Sequence, residues 1–269
     1  MNRNIFKNNY AYLFWLLFYI ILFGIPTGFI IVPFYIIAFL FALSGVSESF
    51  WRVISGVRPL RLNLEKERLL PLFEAVYSEA AKTDKTLFNK NINLYIHESM
   101  DINAFAFGKQ TLALTRGSIE LLDDECLKGL IAHELGHFSN GDTVVTLFAN
   151  VGNFPLSLLV KFLSRNKEKF EKADKLSLVT IVFKNLNELI FLVVKIIQFL
   201  GDLIIMRTRR INEHRADYFA LKCGFGIPLT EALIEIYSVS ITTPQSVKEL
   251  FKSTHPHITK RIERLENKL

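Results

Sequence analysis

The sequence predicts an α+β fold: a mostly helical core with a small β-sheet, carried by membrane helices. Three observations predict it. Half of the 269 residues are hydrophobic, with 24 Phe and a mean hydropathy of +0.27, which excludes a disordered chain and departs from the mixed composition of an ordinary soluble enzyme. No charged residue falls between Lys7 and Glu48. Farther on, a capped helical pattern at 123–141 follows two strand-like runs at 92–97 and 103–107.

The uncharged run of about 40 residues is twice what one helix needs to cross a hydrocarbon core of roughly 30 Å. Gly24-Ile25-Pro26-Thr27-Gly28 interrupts it with turn residues and a helix breaker. Two short spans, 9–24 and 29–46, therefore make a hairpin within residues 1–50. Arg3 and Lys7 flank one end and Arg52, Arg58 and Arg61 the other, which puts both ends on the cytoplasmic side. A cleaved signal peptide fits less well, because the run is too long and lacks an Ala-x-Ala-like site. The net charge of +6 comes without an arginine-rich arm or an alternation of basic and aromatic residues. That pattern points to anionic lipid as the partner and not to nucleic acid. Cys126 and Cys223 form no CxxC pair, so neither a disulfide framework nor a cysteine-built metal site is expected; both read as small packing residues in a reducing compartment.

Residues 51–142 read as the first part of a catalytic domain, 143–206 as a membrane-associated insertion and 207–269 as the second part. Within the insertion, 143–160 is uncharged but holds Asn150, Gly152, Asn153 and Pro155, while 176–206 carries Lys184, Glu188, Lys195 and Asp202. Neither is a clean span, and the basic stretch 164–175 between them would be awkward outside the cell. Two spans, a re-entrant pair and two interfacial helices all fit. Glu188, Lys195, Asp202 and Arg209 recur every seven residues, so one continuous helix would align them with Glu213 and Asp217 on one face. Such a stripe is either a set of locally paired charges or a polar track toward a reactive site.

The chemistry concentrates in His133-Glu134-Leu135-Gly136-His137, an HExxH pattern. Asp123 can cap its helix, Asp124 and Glu125 suit the first turn, and Asn140-Gly141 supplies a stop. Leu127, Leu130, Ile131, Leu135 and Phe138 provide apolar contacts. On such a helix His133 and His137 lie one turn apart on one face, where both imidazoles can reach a single metal ion, with Glu134 beside them. A third ligand is needed. The candidate is Glu213, in a helical stretch that also carries Asp217 one turn on and Ala216 and Ala220 as room for a close neighbour. Asp217 is then placed to accept a ligand-histidine N–H and fix its tautomer.

These stretches, with the hairpin, resemble the HtpX family of membrane-bound zinc metalloproteases, which is related to the prenyl-protein endoproteases. Asp101-Ile102-Asn103-Ala104-Phe105-Ala106-Phe107-Gly108 is similar to the family's Asn-Ala-Phe-Ala strand, and Ser139-Asn140-Gly141-Asp142 to the run after its HExxH. Thr254-His255-Pro256 and Arg261-Ile262 are similar to its His-Pro and Arg-Ile pair. The resemblance covers most of the chain, most weakly at 144–206. It implies a zincin-type metalloprotease core with one zinc ion per chain, held by His133, His137 and Glu213, and Glu134 as general base. It also implies a multi-pass protein of the cell's inner (plasma) membrane whose catalytic domain faces the cytoplasm and cleaves damaged or misassembled membrane proteins.

His255 and Arg261 are then candidates to stabilise an oxyanion; alternatively, His255-Pro256 caps a helix and Arg261 pairs with Glu263 or Glu266. Extended substrate can pair with the strand of Asn103, Ala104, Phe105 and Ala106; Phe105 and Phe107 can also simply alternate into a core, and the two uses can coexist. His97 reads as structural. Two other functions compete: a prenyl-protein endoprotease, for which the chain supplies few spans, and an inactive membrane scaffold, which the intact base and ligand set disfavour.

Overall fold

In the computed structural model the described residues are 44–171, 177–242 and 258–269, with positions 10–11, 14–15, 17–18, 20–22, 33, 36–37 and 40–41 of the N-terminal run. Those N-terminal positions are helical on both sides of the expected turn; the turn itself, Gly24 to Gly28, lies outside the described residues, as do His255 and Pro256. The chain forms two compact units: Met1–Tyr10, Leu40–Leu147 and Arg209–Leu269 make one, and Ala11–Phe39 with Phe148–Thr208 the other.

The first unit opens with α1 (Gly45–Ile54), started by Ser44, whose side chain accepts from the Ser47 N–H. Val46, Phe50, Val53 and Ile54 are exposed along one stripe of this helix, whereas Ser47 and Glu48 are buried. Glu48 is a staple. Its carboxylate accepts from the N–H groups of Lys109 and Gln110 at 3.2 and 2.8 Å and from the Thr111 hydroxyl at 2.7 Å. The carboxylate fits because Gly108, at φ +64°, has no Cβ; one built there would lie 2.8 Å from Glu48 Cδ.

Beyond α1, β1 (Val57–Pro59), α2 (Asn63–Thr83), β2 (Asn93–His97), β3 (Ala104–Phe107) and β4 (Thr111–Thr115) build one sheet and its covering helix. The strand order is β1-β2-β4-β3, with β2 and β4 parallel and the other pairs antiparallel. Register places Leu94 beside Leu112 and Ile96 beside Leu114, with Ala104 next to Leu114. All five are buried in the main core with Leu69, Leu72, Phe73 and Val76 of α2, an apolar stripe at helical spacing. β3 is left at the sheet edge. Its Phe105 and Phe107 are half-buried and stacked, and Phe105 meets the His97 ring edge-on. Ala104 points into the core, and the two phenylalanines do not alternate into it.

Glu65, in the first turn of α2, joins Arg58 at 2.6 Å and Arg116 at 2.9 Å, and Glu98 closes the ring onto both arginines. It also accepts from the N–H groups of Arg61 and Leu62. The Arg58 guanidinium, with Arg116 adding to it against the cost of burial, holds Glu65 far below the usual carboxylate range. A depressed carboxylate contributes stability above its unfolded pKa and loses that contribution as pH falls toward the folded value. Glu65→Gln is therefore expected to cost about 2 kcal/mol at neutral pH. The gap to wild type should narrow as pH drops from about 5 toward 3, read by urea denaturation in detergent; a pH-independent gap would refute the ionic origin.

After α3 (Arg116–Leu121) comes α4 (Asp124–Asn140), the HExxH helix. Asp123 Oδ1 accepts from the Cys126 N–H at 2.7 Å, and Gly141 ends the helix at φ 79°, as the sequence leads one to expect. Leu127, Leu130, Ile131, Leu135 and Phe138 are all buried. Burial, with Asp123 nearby, pushes the Cys126 thiol up to about 12, so it is a packing residue and not a nucleophile. The Lys90 ammonium donates to the Phe138 carbonyl at the end of the helix.

The insertion resolves into α5 (Asp142–Glu171) and the 45-residue α6 (Leu178–Lys222). Among the described residues α6 is the one helix long and apolar enough to cross a membrane. In the second unit Leu163 and Val194 are buried with Trp15, Phe191 and Ile197 around them, and Gly201 admits the Trp15 indole, which a Cβ would meet at 2.6 Å. Because α6 is continuous, Glu188, Lys195, Asp202 and Arg209 do share a face. Among the described residues Glu188, Lys195 and Asp202 make no salt bridge; Lys195 reaches Gln198 and the Phe191 ring instead. The local-pairing reading thus has no contact behind it. α7 (Gly226–Thr242) and α8 (Ile258–Glu266) complete the first unit.

Candidate metal centre

Two helices bring the ligands together because their backbones nearly touch. A Cβ on Gly136 would lie 2.9 Å from Ala216 Cα and 3.1 Å from the Phe219 side chain. Gly136 of α4 and Ala216 of α6 therefore form the contact that sets Glu213, one turn before Ala216, over the two histidines. One ligand atom from each of His133, His137 and Glu213 lies within 4.8 Å of the others. His133 Nε2 is 3.4 Å from Glu213 Oε2, and His137 Nε2 is 3.6 Å from Glu213 Oε1. The rings stand perpendicular, 4.9 Å apart.

Both histidines are held from behind. His133 Nδ1 lies 2.9 Å from Asp217 Oδ1, and His137 Nδ1 lies 3.1 Å from Asp142 Oδ2. A carboxylate accepts, so each Nδ1 is the nitrogen placed to donate, and each Nε2, on the Glu213 side, is the one left to hold a cation once the ring is neutral; Arg261 Nη2 also lies 3.2 Å from His133 Nδ1. This is the arrangement a metal-binding imidazole needs. Asp217 stands where the sequence suggests; Asp142 is a site residue that the sequence reading missed. Its signal was positional: the left-handed Gly141 reverses the chain one residue earlier, which swings Asp142 back onto the ring of His137.

The electrostatics agree with a cation site. Four carboxylates, Glu134, Asp142, Glu213 and Asp217, are buried around the imidazoles. Burial alone lowers a histidine pKa, but Asp142, then Glu213 and Glu134, outweigh it and lift His137 to about 9. Burial and Arg261 likewise lower His133, and Asp217 with Glu213 override them to raise it. Both shifts express buried negative charge in excess, which protons or a divalent cation can balance. Two neutral imidazole nitrogens and a carboxylate are also the donor set that zinc prefers.

Arg261, on α8, is buried and joins Asp217 through two bonds of 2.9 and 2.6 Å, with Glu213 3.2 Å away. The alternative pairing with Glu263 or Glu266 is not what the structure holds. Asn103 is less available to a substrate than its strand position suggests. Its carbonyl accepts from the Thr115 and Ser118 hydroxyls, and its N–H donates to Thr115. Among the described residues no strand pairs with the outer edge of Ala104 to Phe107, while the Asn103 end of the strand borders a cavity beside Glu134.

Asp142→Asn can no longer act as a pure acceptor, so the His137 tautomer loses its anchor. Zinc affinity should fall about 10–100-fold, measured on the folded variant by competition with a chelating dye. Wild-type affinity in the variant would show the contact to be incidental.

The comparisons with known proteins point the same way. The model of peptidase family M48 matches residues 67–269. A protein of Bacillus subtilis named Protease HtpX homolog is 27% identical over 259 residues, covering 87% of this chain and 83% of the relative. Proteins of the same name from Aquifex aeolicus and Neisseria meningitidis are 31% and 27% identical over 203 and 196 residues, covering 64% and 66% of this chain and 64% and 67% of theirs.

Proposed function

The chain belongs to peptidase family M48, and from that premise we propose that it is a membrane-anchored zinc endopeptidase that hydrolyses peptide bonds of misfolded or damaged membrane proteins. The carrying observation is the convergence of His133, His137 and Glu213 with both Nδ1 atoms held by carboxylates and Glu134 buried alongside. A zinc ion held by those three side chains would supply a Lewis acid for the substrate carbonyl and lower the pKa of an attacking water. Glu134 takes up the proton of that water and returns it to the leaving amine. Asp217 and Asp142 keep the imidazoles in the tautomer that leaves Nε2 open. Arg261 brings a fixed positive charge beside His133, and with His255 it stabilises the oxygen on which negative charge develops.

Membrane anchoring is supported by the uncharged N-terminal run, by α6, and by the outward apolar stripe of α1 that follows the run directly. The basic residues flanking the run favour a cytoplasmic catalytic domain in the plasma membrane. Broad substrate tolerance fits recognition by backbone pairing along the edge strand Ala104–Phe107.

Metal analysis and proteolysis test the proposal together. Gently purified protein should carry about one zinc per chain, and chelation should remove both metal and casein cleavage, with zinc restoring both. Full activity in a metal-free preparation would overturn it. A farnesylated peptide cut in preference to unmodified membrane proteins would replace the quality-control role with prenyl-protein processing.

A further inference from the structure

α1 is built upside down for a helix of a globular domain. At 100° per residue, Val53, Val46, Phe50 and Ile54 fall within an arc of about 100°, and all four are exposed, Val53 at 80% and Val46 at 69%. Glu48 and Arg52 lie opposite that arc and meet the sheet. A soluble helix turns its apolar stripe to the core and its charges to water; here the charged side is the one that contacts the domain. Those contacts are directional. Besides the three bonds that Glu48 accepts from Lys109, Gln110 and Thr111, Arg52 Nη1 donates to the Tyr95 hydroxyl at 2.9 Å, with the guanidinium 5.1 Å from the Tyr95 ring centre. The turn between β3 and β4 is also held by α5, where the Thr143 hydroxyl donates to the Gly108 carbonyl at 2.7 Å; Thr143 follows Asp142, the residue behind His137. The apolar stripe continues the N-terminal run. The Phe41 ring meets the Phe50 ring edge-on, 6.3 Å between centres, and Trp51 packs against Phe50 in the same manner.

We propose that α1 lies in the surface of the bilayer, with Val46, Phe50, Val53 and Ile54 in the headgroup boundary, and that Glu48 and Arg52 hold the edge strand Ala104–Phe107 at that surface, so that the protein cuts chains close to where they leave the membrane. The inference rests on the membrane-anchored peptidase reading and deepens it from substrate class to the place of the cut. Lipid is the occupant that continuity selects, because the stripe begins where the uncharged N-terminal run ends. A helix of this pattern sinks its apolar face about 5–10 Å into the headgroup boundary, and the indole of Trp51 suits the same depth. Directional bonds, unlike an apolar contact, fix orientation as well as distance. The turn at Gly108 stands one helix diameter, about 10 Å, behind the stripe. β3 runs from that turn back to Ala104, which borders the cavity beside Glu134, and its four residues span about 13 Å. An extended chain that leaves the bilayer and pairs along this edge therefore meets Glu134 within about ten residues of the boundary. Position then selects the bond, without a sequence motif.

The test reads depth and cleavage on one preparation. Both native cysteines are buried, so Val53→Cys takes a single fluorescent label at the most exposed residue of the stripe. In full-length zinc-loaded protein in phosphatidylcholine–phosphatidylglycerol vesicles, a lipid carrying a nitroxide near its headgroup should quench this label about threefold more than the same nitroxide at the tail end or acrylamide in the water. A label quenched by acrylamide alone, or shielded from water and lipid alike as it would be under a second copy or another protein, would overturn the proposal. Cleavage is read on a single apolar span followed by an unfolded polar chain, with casein as the reference, mass spectrometry to locate the cuts and Glu134→Gln as the blank. Wild type should cut the polar chain within about ten residues of the span. Phe50→Asp should lower the ratio of span-bearing substrate to casein cleaved by about tenfold. Glu48→Gln, in the labelled protein, keeps the stripe in lipid but loosens its hold on the turn, so the label should stay quenched while the cuts spread beyond the wild-type range. Cuts scattered along the chain by wild type, or unmoved in folded Glu48→Gln, would overturn the proposal, and casein cleavage would keep the peptidase intact. Zinc-loaded wild type that cuts neither substrate would overturn the peptidase reading and the place of the cut with it, and the label would still report whether α1 lies in lipid.

Discussion

Glu134→Gln is expected to keep zinc at about one per chain and to lose about 10²–10⁴-fold in turnover on casein. The first half of that expectation comes from geometry. Glu134 is buried beside the cluster but is not among the three residues whose ligand atoms converge, so the metal does not depend on its charge. Glutamine has the same shape and fills the same space, so the fold has no reason to change. The second half comes from chemistry. An amide oxygen cannot take up and return a proton near neutral pH, and among the described residues no other carboxylate at the site is free to replace it. Asp142 and Asp217 are occupied by the histidine Nδ1 atoms, and Glu213 faces both Nε2 atoms. Metal analysis and turnover on one preparation decide the matter; cleavage within a few-fold of wild type, with zinc bound, would move the base elsewhere.

The parts of this molecule that local chemistry dictates were legible in its sequence. The cap at Asp123, the stop at Gly141 and the one-turn spacing of His133 and His137 depend only on residues within a few positions of each other, and each stands where expected. Glu213 was reachable because Ala216 and Ala220 mark a close helix contact; the unforeseen detail is that Gly136, inside the motif itself, is the other half of it. What stayed hidden depends on distant pairings. Nothing local announces that β2 runs parallel to β4 or that β3 takes the edge, because register is chosen by the whole core. The long α6 did not read as a clean span because Lys184, Glu188, Lys195 and Asp202 punctuate it, yet such scattered charges leave both a helix and an apolar window of mean hydropathy 2.3 intact. Arg261 could be assigned several partners from sequence, since Glu263 and Glu266 are near in the chain; burial decided against both, because among the described residues Asp217 and Glu213 are the carboxylates that meet the guanidinium inside the protein.

That compensation makes Arg261 a position where a single substitution should cost several kcal/mol, about 3–5. Arg261→Ala leaves Asp217 and Glu213 buried without the cation that faces them, and removing one partner of a buried pair costs about 3–5 kcal/mol. Arg261→Lys should recover part of this loss, because an ammonium restores the charge but cannot span both Asp217 oxygens as the guanidinium does. Zinc provides the internal control. A cation that binds only the folded site stabilises it by mass action, and in the variant it also offsets the exposed excess of carboxylate charge. The melting temperature of Arg261→Ala should therefore respond to added zinc more steeply than that of wild type. Denaturation of the metal-free and zinc-saturated forms measures both effects. Asp217→Asn supplies the cycle: with its carboxylate already neutral, removing the guanidinium should cost clearly less than in wild type. Equal costs in the two backgrounds would show that Arg261 and Asp217 are not coupled.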